Sequence, residues 1–94
     1  MIKPTIGRVV WYRKGGSQIE AQPYPALICY VHSDRCINVA GFDSNGNPFK
    51  ATSVQLIQEG DTPLGLGGDT AEWMPYQVGQ AKKHEADPIP AAVV

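Results

Sequence analysis

The residues best equipped for chemistry lie in one run, His32-Ser33-Asp34-Arg35-Cys36, which holds a base, a hydroxyl, a carboxylate, a guanidinium and a thiol. Nucleophilic catalysis needs a nucleophile, a base and an orienting acid that converge within hydrogen-bond reach. Consecutive residues of a hairpin turn point in alternating directions, so this run reads as a turn. Ser33 and Asp34 are its turn formers and His32 ends a strand. Zinc needs three or four converging ligands, and His32, His84, Cys29 and Cys36 provide no recognised spacing. No catalytic residue, metal ligand or cofactor-binding residue is legible, and the expectation is a protein that is not an enzyme and carries no cofactor.

Two other features bear on binding. Gly65-Leu-Gly-Gly-Asp69 is glycine-rich, but it lacks the Gly-Lys-Ser/Thr ending of a phosphate loop and no strand and helix frame it; it reads as a flexible loop. Aromatic residues are plentiful. Trp11 and Trp73 are expected in the core, whereas Tyr24 and Tyr76, each beside a proline, are expected as exposed contact residues.

The elements that position these residues follow from β-branched and aromatic runs bounded by turn residues. Strands are expected at 6–13, 25–32, 36–42, 49–58 and 70–76. Asn45-Gly46, a dipeptide that tolerates positive φ, marks a hairpin. Residues 76–85 favour about two turns of helix, and Ala86-Asp-Pro-Ile-Pro-Ala-Ala-Val-Val94 reads as an extended tail. Five short strands with a long first loop predict an all-β fold, a small SH3-like barrel over 1–76 followed by a short helical turn and tail over 77–94. An up-and-down meander is the rival.

Composition sets further bounds. The chain has 94 residues, enough for one domain, with 43% hydrophobic and 18% charged residues. A net charge of -1 gives no bulk attraction to nucleic acid or to an anionic membrane. Lys3, Arg8, Arg13 and Lys14 do make the start basic, which reads as a solvated strand edge. Neither a secretory signal nor a membrane-spanning run is visible, so the expected location is the cytosol. There Cys29 and Cys36 are expected as reduced, buried, small hydrophobes.

Pairing 25–32 with 36–42 puts Ile28, Tyr30, Ile37 and Val39 on one face and Leu27, Cys29, Val31, Cys36, Ala40 and Phe42 on the other. Both faces are apolar, yet a small barrel has one interior. With Ile28, Tyr30, Ile37 and Val39 taken as the outer side, the expected partner contacts are Tyr24, Tyr76, Val39 and Tyr30, and a closed homo-oligomer is expected.

Tyr24-Pro-Ala-Leu-Ile-Cys-Tyr-Val-His-Ser-Asp-Arg35 and Ile37-Asn-Val-Ala-Gly-Phe-Asp43 resemble a family of small uncharacterised β proteins of tailed bacteriophages and prophages. Thr52-Ser-Val-Gln-Leu56 and Glu72-Trp-Met-Pro-Tyr-Gln77 extend the resemblance over most of 6–83. It implies a phage-encoded accessory or virion protein; the two apolar sheet faces, the extended tail and the absence of catalytic groups point to a structural component of the virion, a capsid decoration or head-associated component. Its partners would be phage capsid proteins or further copies of itself, and its place the host cytoplasm or the virion. The alternative is an intracellular accessory protein that binds and sequesters a host defence factor or a nucleotide signal.

Overall fold

The alternation of large apolar with polar or small residues in four successive segments dictates a sheet with one buried side. The computed structural model describes residues 1–15, 22–61 and 68–86. Strands β1 (Val9–Arg13), β2 (Tyr24–Ser33), β3 (Cys36–Phe42), β4 (Pro48–Ile57) and β5 (Thr70–Glu72) precede one helix, α1 (Pro75–Ala86). β1 to β4 pair antiparallel in chain order, and β5 closes the barrel against β1 and β4. β5 runs antiparallel to β1 and parallel to β4. A closed ring of five strands must contain a parallel pair, and this one separates the small SH3-like barrel from an up-and-down meander. The expected all-β barrel is therefore the fold.

Inward positions follow period two. Val10 and Tyr12 of β1, Ala26 and Ile28 of β2, Ile37 and Val39 of β3, Val54 and Leu56 of β4 and Ala71 of β5 fill the interior, with Trp73 just beyond. Each large side chain buried there contributes about 1.5–3 kcal/mol. Val39 is only 2% exposed, so its assignment as an outer contact is corrected. The interior is the Ile28, Ile37 and Val39 side, and Leu27, Ala40 and Phe42 face outward.

Two bulges bend the sheet around Asn38. Ile28 pairs with Val39 and Tyr30 with Asn38, leaving Cys29 as the extra residue of β2. On the other side Val39 pairs with Ala51 and Ile37 with Val54, so Thr52 and Ser53 together oppose Asn38. Bulges of this kind sharpen the bend that closure requires. Ser53 takes a left-handed φ of 53°, and the Asn38 Oδ1 accepts its amide at 2.9 Å. The β2 bulge also explains a departure from simple alternation: Tyr30 leaves the Ile28 side and is exposed. Cys29, expected to be buried, is exposed because it shares the outward phase of Leu27.

Element ends have local causes. Regular pairing of β1 starts after Gly7, which takes φ 94°, rather than at Ile6. The 43–47 turn is built on Asp43, whose Oδ1 accepts the Asn45 and Asn47 amides, with Gly46 at φ 81°. β5 stops at Glu72 because Pro75 opens α1, where its missing amide costs nothing. The Gln77 Oε1 accepts the Met74 amide at 2.7 Å, a reach-back cap for the first turn. α1 is three turns long rather than two, and Val78 packs on the core. No helix among the described residues is long and apolar enough to cross a membrane. The tail over 87–94 and most of the glycine-rich loop lie outside the described residues.

Gly41 marks the tightest backbone approach. A Cβ there would overlap the Pro25 carbonyl oxygen and lie 2.8 Å from the Ala26 Cα. Both neighbours are main chain and cannot swing away. Gly41→Ala should cost at least about 2 kcal/mol in denaturant unfolding, in the range of overpacked cores; a loss under about 0.5 kcal/mol would show that β2 and β3 can separate there.

Candidate functional site

The outward side of β1, β2 and β3 carries an apolar strip set by strand register. Val9 lies opposite Leu27, and Leu27 opposite Ala40. One row further along, Trp11 lies opposite Pro25, and Phe42 opposite Pro48. Leu27 is 48% exposed, Phe42 53% and Tyr30 55%. Cys29 adds an exposed thiol between Leu27 and Tyr30, donating to the Leu27 carbonyl at 3.5 Å. Lys50, opposite Ala40, bounds the strip on the β4 side. Large contiguous apolar patches on a small protein mark docking surfaces more often than idle surface.

A second, polar centre fixes one end of the barrel. Gln58 is 2% exposed, and its amide uses every hydrogen-bonding position. Its Nε2 donates to the carbonyls of Ile2 at 2.9 Å and Asp34 at 2.8 Å. Its Oε1 accepts the Ile2 amide and the Trp73 indole N–H, both at 3.1 Å. A buried amide left unpaired costs about 1–3 kcal/mol, so the four partners stand or fall together. Alongside, Arg35 donates two hydrogen bonds to Asp61, at 2.8 and 3.2 Å, and Asp61 also accepts the main-chain amide of Gln58. Sequence reading passed over Gln58. Its position two residues beyond Leu56, in phase with the inward Val54 and Leu56, was the available signal.

The residues of the 32–36 run are dispersed. His32 Nε2 meets Asn38 Oδ1 at 3.0 Å, and the ring stands edge-on to Tyr30 at 4.9 Å. Ser33 Oγ accepts the Arg35 amide, Asp34 gives its carbonyl to Gln58, and Arg35 pairs with Asp61. These are the bonds of a turn. Among the described residues no three His, Cys, Asp or Glu side chains group as a metal site.

Of the expected contact residues, Tyr30 and Tyr76 are exposed, Tyr76 by 69%. Tyr24 is half-buried in a cluster with Tyr12 and Phe49, at ring separations of 6.5 and 5.8 Å. The Tyr12 hydroxyl donates to Asp69, which also accepts the Gly15 amide. Burial first, then this carboxylate, pushes the Tyr12 phenol well above its usual range. Trp73, 5% exposed, belongs to the core as expected, whereas Trp11 is only half-buried. The outward placement of Trp11 could have been read from Arg13, a charged residue in the same phase of β1.

Comparison with protein-family models, with curated proteins and with solved structures yields no match.

The Arg35–Asp61 pair gives a pH test. The Arg35 guanidinium first, and the Gln58 main-chain amide second, hold the Asp61 carboxyl below its ordinary value. A carboxyl whose pKa falls on folding favours the fold above the unfolded range, and this contribution fades as pH drops through the folded value. Arg35→Ala should move the Asp61 titration, followed by carboxyl NMR shifts, up toward the ordinary ~3.9. The acid-unfolding midpoint should move to higher pH with it. An Asp61 titration unchanged by the substitution would show that the pair does not form in solution.

Proposed function

We propose that this chain is a phage-encoded structural protein without catalytic activity, a capsid decoration or head-associated component that docks through the outer side of β1–β3. The exposed Val9, Leu27, Tyr30 and Phe42 strip carries the reading. A closed barrel satisfies its own edges, so this apolar surface is spare to the fold and can be given to a neighbour. The resemblance of the 24–43 and 72–77 segments to small proteins of tailed phages supports a phage as the setting. Its neighbours are a second copy of the chain and the coat protein beneath it, and its route runs through the host cytoplasm into the particle.

The decisive substitutions lie on the strip and leave the core alone. In the wild type, light scattering should report an assembly, and mass spectrometry of purified virions should find the chain in stoichiometric amounts. Leu27→Asp with Phe42→Asp should abolish both while circular dichroism keeps the strand signal. A wild-type monomer at high concentration, together with virions that lack the chain, would overturn the proposal.

A further inference from the structure

The basic bias of the first residues separates into two fates. Arg13 is committed to Glu72, donating from Nε at 2.8 Å. Lys3 and Arg8 instead line a cleft of about 740 Å³ between the N-terminal segment and α1, together with Ile2, Tyr76, Gln77 and Gln80. The volume lies in the range of small-molecule sites. No carboxylate lines the cleft, and among the described residues neither Lys3 nor Arg8 has an acidic partner. Two unneutralised cations thus face one cleft, whereas the other described arginines are both paired with acids.

Both cations stand on fixed supports. The Ile2 amide and carbonyl are both held by Gln58, which anchors the chain immediately before Lys3. Arg8 accepts the Ile28 amide at its carbonyl at 2.8 Å, and its guanidinium lies 5.7 Å from the centre of the Trp73 ring. Trp73 is in turn pinned through its indole N–H to Gln58. The floor is equally set, because Gln77 donates to the Val9 carbonyl at 2.9 Å and accepts the Met74 amide. The donors left over are the Lys3 ammonium, the free N–H groups of Arg8, the Tyr76 hydroxyl and the Gln80 amide. Tyr76 also presents an exposed ring at the rim.

We propose that this cleft binds a small phosphorylated ligand that carries a flat ring. Lys3 and Arg8 hold the phosphate, the guanidinium offering a planar fork and the ammonium a point charge. The Tyr76 ring takes the flat group by stacking. The site is separate from the β1–β3 strip, so it stands or falls independently of the docking proposal.

Titration of 15N-labelled full chain with a nucleoside monophosphate, the parent nucleoside, inorganic phosphate and acetate tests this. Amide shifts at residues 3, 8, 76 and 80 should respond to the monophosphate at the lowest concentration, with weaker responses to phosphate and to nucleoside. Lys3→Gln, at an exposed position outside the core, should weaken monophosphate and phosphate binding by about tenfold or more, as expected for loss of a charged hydrogen bond. Tyr76→Ala should weaken the monophosphate and spare inorganic phosphate. No shift at millimolar monophosphate, acetate binding as tightly as phosphate, or monophosphate affinity unchanged in Lys3→Gln would each overturn the assignment.

Discussion

The side-chain amide of Gln58 is the constraint on which one end of this barrel depends. Its four hydrogen bonds join the N-terminal segment, the turn between β2 and β3, and Trp73. Without them, β4 would end in a buried polar group stripped of its partners, which a low-dielectric interior penalises heavily. With them, Trp73 is placed for Val78 and α1 to pack near it, and Ile2 is held close by. Asp61 reinforces the same end by accepting hydrogen bonds from both the Gln58 main-chain amide and the Arg35 guanidinium. An apolar residue at position 58 could not reproduce this, because it would strand the Ile2 and Asp34 main-chain groups.

Asn38 does for the sheet what Gln58 does for the end. By accepting the Ser53 amide, it supports the β4 bulge while the β2 bulge passes on its other side. The consequence reaches the surface. The extra residue in β2 puts Cys29 and Tyr30 outside together, extending the apolar strip begun by Leu27. Sheet curvature and the candidate docking face therefore share one origin.

Much of the fold was legible because its causes are local. Strand β3 spans Cys36–Phe42, as its run of residues implies, and Asn45-Gly46 forms the expected turn. The side of the sheet that faces inward was not legible from β2 and β3 alone, since both sides there are apolar. Neighbouring strands held the answer. Lys50 lies opposite Ala40 and Arg13 is in phase with Trp11, which makes that side the outer one. The expectation of a buried Cys29 follows from that ambiguity, since Cys29 shares the phase of Leu27; Tyr30 is misplaced for another reason, because a bulge cannot be counted from a run of apolar residues. Gln58 was hidden for a different reason: its burial depends on partners far away in the chain, at positions 2, 34 and 73.

The central proposal is that the outward strip, left exposed by the fold, is covered by association. Cys29 lies within it and reports directly. Its rate of modification by a small thiol reagent, followed by peptide mapping to separate it from the half-buried Cys36, should be fast in dilute protein. In the concentrated, assembled protein the rate should fall by about tenfold or more, since labelling then waits for dissociation. A Cys29 rate that is the same in dilute protein, in concentrated protein and in virions would show that nothing covers the strip, and would contradict the account.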